Sequence, residues 1–424
     1  MRLPDSLRCL ANRNLRLFFG GQAISLVGTW MQSVAVQWLV WRLTHSPVVL
    51  GQVAFLSQLP VLFLAAAAGG LADRVSRKRL VIATQLLATF QALAMWALAR
   101  EGALSMPLVY ALSLVAGLAI ALEMPARQAL LSDLAGPEML NAIAFNSTLV
   151  HSTRVIGPAI GGVLVAWLGE APCFLANAVS YLPVLWSLGM IRVEAPPARP
   201  GRGGGGLREG FRYAWHTPHV GTLLVTVAAM SLFGLSFNAV LQPVFAQTIL
   251  GGGPGLLGVL FSAGGAGALF GAILLLRQKG LVGLVTRVAW GASLLSVSLV
   301  AFAWSRSIPF SCAAQFLIGL GFMSVLASAN TLLQSLAEPG MRGRVMGLFS
   351  MAFMGMAPIG SVVAGWLAGW LGPRMAVTAG AGLILAKSLH IWLTTARLQR
   401  IVGRYETAGD SRPGVPPDAL GGAR

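Results

Sequence analysis

An arginine stands in the middle of an apolar stretch of the sequence, where a charge is costly without a partner or water. Arg154 lies within the stretch 140–168, and Asn141, Ser147 and His151 are assigned to the same helical face. A guanidinium in hydrocarbon needs a partner or a wet cavity. Two interpretations therefore stay open: Arg154 pairs with a nearby polar group, or it binds an anionic or catechol-like ligand.

Other polar side chains form stripes on apolar stretches, which is typical of the wall of a wet cavity. The candidates for a cavity wall are Gln22, Ser25, Thr29, Gln32, Asn238, Gln242 and Gln315, together with His151 and Arg154. Hydrogen bonds between helices, without any ligand contact, explain each stripe residue equally well. His151 and Glu123 are candidates for carrying a coupling proton, although the charge of Arg154 opposes protonation of His151.

The stretches that carry these residues are long enough to cross a bilayer. The chain has 424 residues, of which 56% are hydrophobic and 10% are charged, whereas soluble domains carry about a quarter charged residues. A bilayer core needs about 20 apolar residues per helix. This length predicts an all-α membrane protein with twelve spans, near residues 15–42, 48–72, 79–99, 105–125, 140–168, 171–191, 219–249, 255–276, 281–304, 309–334, 344–371 and 375–396.

The net charge of +17 follows membrane topology, and no nucleic-acid partner is expected. Most of the 30 Lys and Arg residues fall in gaps on the side of the two termini, while the other side has Arg42, Arg100, Arg306 and Arg374. Lys and Arg concentrate in cytoplasmic loops. We therefore expect a multi-pass protein of the bacterial inner membrane with both termini in the cytoplasm.

Internal echoes predict a six-plus-six duplication. Ser25-Leu26-Val27-Gly28 recurs as Ser231-Leu232-Phe233-Gly234, and Pro158 and Pro358 each stand shortly before glycine. Such repeats are common in transporters, because one half rocks against the other. The predicted units are an N-terminal six-helix bundle (1–191), a cytoplasmic linker (192–216), a C-terminal six-helix bundle (217–398) and a cytoplasmic tail with a disordered end (399–424).

Catalytic and metal-binding patterns are missing from the sequence. There is no Ser-Asp-His elbow, no His-Glu-x-x-His and no phosphate-binding Gly-x-x-x-x-Gly-Lys-Ser/Thr loop. Cys9, Cys173 and Cys312 are far apart and lie in or near apolar segments, which indicates packing and not a disulfide or a metal cluster. We expect no enzyme activity, no cofactor and no metal.

The loop after the second span carries the most specific motif. Gly69-Gly70-Leu71-Ala72-Asp73-Arg74-Val75-Ser76-Arg77-Lys78-Arg79 combines a glycine pair, which permits close helix packing, with an acid and a basic cluster. It resembles the signature loop of the major facilitator superfamily. It departs from that loop at Ser76, where the superfamily usually has glycine. A determinant of topology alone is the other interpretation.

The resemblance implies a cytoplasmic gate network between the two halves. Its members would be Gly69, Gly70, Asp73, Arg74, Arg77, Arg79, Glu123, Arg342 and Arg344. Asp73 would pair with Arg342 or Arg344, and Glu123 with Arg77. Such a network would latch the state that is open to the outside and would release when the halves rock.

The fifth span contains a proline between glycines. Gly157-Pro158-Ala159-Ile160-Gly161-Gly162 resembles the core of the antiporter motif of the superfamily, with Thr153 where an earlier glycine is usual. Proline removes one backbone hydrogen bond and glycine permits bending. Gly157, Pro158, Gly161 and Gly162 therefore predict a hinge, and the resemblance favours export. Packing alone is the alternative.

Further segments narrow the resemblance to the bacterial branch that includes the enterobactin exporter. They include Gly28-Thr29-Trp30-Met31-Gln32 and Asn141-Ala142-Ile143-Ala144-Phe145-Asn146-Ser147, and the likeness covers nearly the whole chain to about residue 398. It implies a monomeric secondary-active transporter in which protons drive efflux of a small amphiphilic or anionic metabolite, siderophore or drug by alternating access. An importer of a small solute is the alternative, followed by a transport-incompetent membrane sensor.

Overall fold

The computed structural model describes the backbone of residues 9–191, 207–276, 278, 280–338 and 340–411. Within these ranges it describes all side chains except those of residues 65–74, 207, 276 and 404–411. The predicted disordered end of the tail, from residue 412, lies outside the described residues. So does the Gly- and Pro-rich part of the predicted linker, residues 192–206.

Helices make up nearly all of the described backbone. In chain order they are α1 Arg13–Thr44, α2 Pro47–Arg74, α3 Arg77–Arg100, α4 Met106–Ala135, α5 Met139–Leu168, α6 Ala171–Met190, α7 Leu207–His216, α8 Pro218–Ile249, α9 Pro254–Leu276, α10 Val282–Trp304, α11 Ile308–Leu336, α12 Arg342–Leu371 and α13 Pro373–Ser411. All of these except α7 are apolar and long enough to span a bilayer. The prediction of an all-α protein with twelve spans is confirmed.

Helices extend into two segments that the sequence analysis predicted as the cytoplasmic linker and the cytoplasmic tail. The described end of the predicted linker, Leu207–His216, forms the short helix α7. The helix α13 continues through Thr395 and Gln399 to Ser411, past the predicted end of the last span. Its extension is polar enough to leave the membrane, so the last span runs without a break into the predicted tail.

Each half of the fold is a bundle of six spans. In the first bundle α1 packs on α5 and α6, α3 packs on α4 and α6, and α2 packs on α4. In the second bundle α11 packs on α9 and α10, α13 packs on α10, and α12 packs on α8. Between the bundles the main contacts are α2 with α12 and α5 with α9.

Four glycines make these contacts between the bundles. A Cβ on Gly51 of α2 would lie 2.4 Å from the carbonyl oxygen of Ser361 in α12, and one on Gly365 would lie 2.5 Å from the oxygen of Pro47. Real Cβ atoms essentially never come so close to backbone atoms. The helices of the two bundles therefore touch backbone to backbone, which only glycine permits.

The contact between α5 and α9 repeats this arrangement. A Cβ on Gly258 of α9 would lie 2.4 Å from the oxygen of Pro158, and one on Gly162 would lie 2.8 Å from the oxygen of Pro254. In each contact one helix begins with a proline, Pro47 in α2 or Pro254 in α9, whose carbonyl oxygen faces a glycine of the other bundle. A glycine follows four residues after each proline and faces a carbonyl oxygen of the other bundle. The two contacts are thus equivalent, as expected if the two bundles arose by duplication.

Both glycine contacts lie near one face of the membrane. We call the face at which α1 begins and α13 ends the terminal face, and the other the opposite face. Gly51 and Gly258 lie four residues into helices that begin at the opposite face, and Trp41 of α1 donates a hydrogen bond to Gln247 of α8 there. The bundles are therefore closed together at the opposite face.

A methyl group at this contact is expected to open it. In Gly51→Ala the new Cβ would push against the backbone of Ser361, so the arrangement closed at the opposite face should lose stability. A membrane-impermeant maleimide should then label a cysteine placed at Gln247 several-fold faster. Gly382→Ala is the control, because a Cβ on Gly382 would meet nothing within 4 Å. Equal labelling of both variants would contradict the closure.

Candidate functional site

The guanidinium of Arg154 lies over the indole ring of Trp30, with 5.0 Å between its central carbon and the ring centroid. Both side chains are partly buried. A cation over an aromatic face gains about 0.5–2 kcal/mol, more as water is removed. Among the residues that the structure describes, no carboxylate lies within ion-pair distance of Arg154. The ring holds the charge in place without neutralising it.

The predicted hinge residues bring α5 to α1 and so create this contact. A Cβ on Gly157 would lie 2.4 Å from the Cβ of Trp30, and one on Gly161 would lie 2.9 Å from the Cα of Met31. Without side chains at these positions α5 lies directly on α1, beside the turn that carries Arg154. The structure shows close packing at these glycines, and the bending of α5 stays a prediction.

The predicted face of α5 also presents His151 one turn before Arg154. The Nδ1 atom of His151 is buried and has no hydrogen-bond partner among the described residues. An unpaired buried ring nitrogen costs free energy unless a proton, water or ligand group satisfies it. His151 and Arg154 thus offer a neutral and a cationic polar group on one face of α5.

Three of the predicted cavity residues meet between α8 and α11. Asn238 and Gln315 exchange hydrogen bonds, with 3.0 Å from Asn238 Nδ2 to Gln315 Oε1 and 2.8 Å from Gln315 Nε2 to Asn238 Oδ1. Gln242 Nε2 also donates to Gln315 Oε1 at 3.2 Å. Gln315 and Gln242 are fully buried, and Gln242 Oε1 is left without a partner among the described residues. We call these three residues the amide cluster.

Residues of the predicted stripe on α1 make hydrogen bonds inside the first bundle, and the role of the stripe as a cavity wall stays a prediction. Gln32 accepts a hydrogen bond from Asn177 of α6 at 2.8 Å and donates one to Gln91 of α3 at 2.9 Å. Its amide is therefore used inside the first bundle. Thr29 donates to the carbonyl oxygen of Ser25 at 2.9 Å, and Gln22 and Ser25 are buried.

Asn177 and Gln91 were not predicted as functional, although each is an amide inside an apolar span. Because the sequence shows amides but not their partners, it gave no reason to join Gln32 to them. The sequence feature that could have identified Asn177 and Gln91 is the one that identified Gln32, an uncharged polar side chain that hydrocarbon cannot solvate.

The charges at the terminal face pair differently from the predicted gate network. Arg77 donates to Asp133 at the end of α4 and not to Glu123, which lies 3.6 Å from Arg127. Arg344 pairs with Glu209 of α7 at 3.1 Å. Each of these pairs joins two groups within one bundle.

The remaining members of the predicted network are exposed or lie outside the described residues. Arg79 and Arg342 are exposed at the terminal face. The side chains of Gly69, Gly70, Asp73 and Arg74 are not among those described, so the predicted pair between Asp73 and Arg342 or Arg344 stays a prediction. None of the ion pairs described at the terminal face joins the two bundles, so the latch between the bundles stays a prediction.

A groove of about 400 Å³ runs between α5 and α9 but is not part of this site. Its lining is apolar and includes Ile156, Phe270 and Ile273, all of which are exposed on the outside of the bundles. Such a surface is solvated by lipid chains, so we assign the groove to the bilayer.

Comparison with solved structures identifies the fold. A bacterial homologue of the iron transporter ferroportin, in an inward-facing state, is 17% identical in sequence and superposes with a TM-score of 0.67 over 91% of this chain and 98% of its own. A bacterial homologue of the human lysosomal transporter Spinster is 15% identical, with a TM-score of 0.63 over 96% of this chain and 99% of its own. The fold is that of the major facilitator superfamily.

Comparison of the sequence with protein families identifies the family of this chain. The family described as transmembrane secretion effector matches residues 5–402, and this chain belongs to that family of the major facilitator superfamily. It is therefore a multi-pass transport protein of the bacterial inner membrane.

Curated relatives include an exporter, an efflux pump and a transporter. The enterobactin exporter of Shigella flexneri is 29% identical over 93% of this chain and 95% of its own length. The multidrug efflux pump Tap of Mycolicibacterium fortuitum is 25% identical over 80% and 86%. The staphyloferrin A transporter of Staphylococcus aureus is 25% identical over 82% and 88%.

Loss of Gln315 is expected to destabilise the second bundle. In Gln315→Leu the side chains of Asn238 and Gln242 lose their shared partner inside an apolar bundle, which should lower the free energy of unfolding by about 1–3 kcal/mol. Thermal unfolding of the purified protein in detergent measures the change. Gln334→Leu is the matched control on the same helix, because Gln334 is exposed. An equal loss in both variants would contradict a structural role for the amide cluster.

Proposed function

We propose that this transporter exports a small anionic or amphiphilic metabolite, siderophore or drug, driven by protons. The observation that carries the proposal is Arg154, a charge inside the membrane that rests on Trp30 and has no carboxylate partner among the described residues. A cation kept in this position attracts a substrate carboxylate, phosphate or catecholate, and the indole ring beside it offers a surface for an aromatic or apolar group.

Export is supported by the names of the relatives, and the arrangement of the bundles is compatible with uptake of substrate from the cytoplasm. The concentration of Lys and Arg on the terminal face supports a cytoplasmic position of that face. Closure of the bundles at the opposite face then corresponds to an inward-facing state, in which substrate would enter from the cytoplasm. The relatives named as enterobactin exporter and multidrug efflux pump act in the same direction.

Alternating access would proceed by exchange of the contacts that join the bundles. The glycine contacts close the opposite face, and they must separate for the substrate to leave. The charge network of the signature loop would then close the cytoplasmic face. Rigid-body rocking of this kind repacks a few interfaces without rebuilding either bundle.

Glu123 is the best candidate for the coupling proton. It lies inside α4, further from a helix end than any other described carboxylate of a spanning helix, and its ion-pair partner Arg127 is 3.6 Å away, beyond hydrogen-bond distance. A carboxylate so placed can exchange its ion pair for a proton at little geometric cost. His151 is the second candidate, on the basis of its Nδ1 atom, which has no partner in the described part of the chain.

The role of Arg154 is tested by removing its charge. Arg154→Gln should lower the transport of an anionic substrate roughly 10- to 100-fold, the value of one charge-assisted hydrogen bond, and should leave a neutral substrate nearly unaffected. The assay uses inside-out vesicles with an imposed pH gradient and a panel of siderophores, drugs and lysolipids. Arg154→Lys should keep part of the activity.

Two results would remove parts of this proposal. An equal loss for anionic and neutral substrates would make Arg154 a structural residue. Substrate accumulation in right-side-out vesicles, with none in inside-out vesicles, would show import.

Proton coupling is tested at Glu123. Glu123→Gln keeps the size of the side chain but cannot release a proton, so transport driven by a pH gradient should be lost while exchange of substrate down its own gradient continues. Glu170→Gln is the matched control, since Glu170 is also paired with an arginine, Arg42, at 2.8 Å, but at the opposite face. Undiminished pH-driven transport in Glu123→Gln would exclude it as the coupling residue.

A further inference from the structure

The short helix α7, Leu207–His216, contains none of the predicted cavity residues and makes none of the contacts described between the bundles. It precedes Pro218, where α8 enters the membrane from the terminal face, and it packs on the first turns of α12, which begins at the same face. The helix therefore lies at the boundary between the membrane and water. Its sequence is Leu-Arg-Glu-Gly-Phe-Arg-Tyr-Ala-Trp-His, which mixes aromatic and charged residues.

One side of α7 is fixed to the second bundle. Gly210 lies against Arg344 and Leu348 of α12, since a Cβ on Gly210 would lie 3.3 Å from the Cβ of Arg344. Ala214 is buried. Glu209 holds the guanidinium of Arg344 at 3.1 Å. These contacts fix the rotation of the helix about its own axis.

The other side of α7 carries two aromatic rings and two arginines. Phe211 is 52% exposed and Trp215 is 86% exposed, and they stand one helical turn apart. Arg208 and Arg212 are also exposed and also stand one turn apart. Because each arginine lies next to an aromatic residue around the helix axis, the exposed side has an apolar strip flanked by a cationic strip.

We propose that α7 is an anionic-lipid-binding helix that lies in the headgroup layer of the terminal-face leaflet. Phe211 and Trp215 enter the acyl boundary, and Arg208 and Arg212 bind the phosphates of anionic lipids. Amphipathic helices with aromatic residues beside Lys or Arg bind membranes in this way, by burial of apolar area and by attraction to anionic lipids.

Lipid fits this side better than a second protein does. The aromatic rings face away from the bundle at the level where α8 and α12 enter the bilayer, so the headgroup layer is the surface adjacent to them. Tryptophan prefers that layer because its ring is apolar and its N–H is polar. The two arginines give charge complementarity to phosphate. The proposal depends neither on the substrate nor on the direction of transport.

Binding of lipid to the full-length purified protein tests the two arginines. The probe is fluorescent phosphatidylglycerol titrated in detergent micelles. Arg208→Gln/Arg212→Gln should weaken its binding roughly 30-fold, as expected for two cationic side chains removed from an anionic surface. The matched control is Arg397→Gln/Arg400→Gln, which removes two exposed arginines from α13 and should bind as the wild type does.

Two results of this titration would overturn the proposal. One is an equal loss of affinity in both double variants, which would show a general effect of surface charge. The other is displacement of the lipid by inorganic phosphate as readily as by unlabelled phosphatidylglycerol, which would make the arginines a site for free anions.

The position of the aromatic side is measured separately, so that the proposal does not depend on the arginine variants alone. The protein is reconstituted in vesicles of phosphatidylcholine and phosphatidylglycerol whose acyl chains carry bromine near the headgroup. The fluorescence of Trp215, taken as the difference between the wild type and Trp215→Phe, should be strongly quenched. Unquenched Trp215 would place this side of α7 in water, or against the rest of the chain or a second copy, and would overturn the proposal.

Discussion

The backbone contacts of four glycines at the opposite face hold the two bundles in their observed arrangement. Gly51 with Gly365 and Gly162 with Gly258 bring helices of different bundles so close that no Cβ would fit. In hydrocarbon there is no hydrophobic drive for helices to associate, so such close van der Waals contact supplies much of the attraction. Contacts without interlocking side chains can also separate without repacking a core, which suits an interface that must open and close.

The same close packing positions Arg154. α5 approaches α9 at Gly162 and approaches α1 at Gly157 and Gly161, and this second approach lays Arg154 on Trp30. Several polar groups of the spans are satisfied within one bundle, as Gln32 and Gln315 are. Others, including His151 Nδ1 and Gln242 Oε1, have no partner among the described residues. The described residues therefore leave the hydrogen-bonding capacity of these two buried atoms unused.

Charges at the terminal face serve the two bundles separately. Arg77 with Asp133 ties α3 to α4, and Arg344 with Glu209 ties α12 to α7. Neither pair has to break when the bundles move apart at that face. The pair of Arg344 and Glu209 also fixes the rotation of α7, so that its aromatic and arginine side faces away from the protein.

The sequence by itself determined the helices and the two bundles. A spanning helix needs about 20 apolar residues and often has proline or glycine at its ends, and both features can be recognised within one segment of the chain. They also identified Arg154, Asn238, Gln242 and Gln315 as polar groups that need partners. Which partner each one has depends on the rotation of whole helices, and neighbouring residues point about 100° apart around a helix axis. For that reason only the tertiary structure decided that Gln32 faces α6, that Arg77 takes Asp133 and not Glu123, and that Arg154 rests on Trp30.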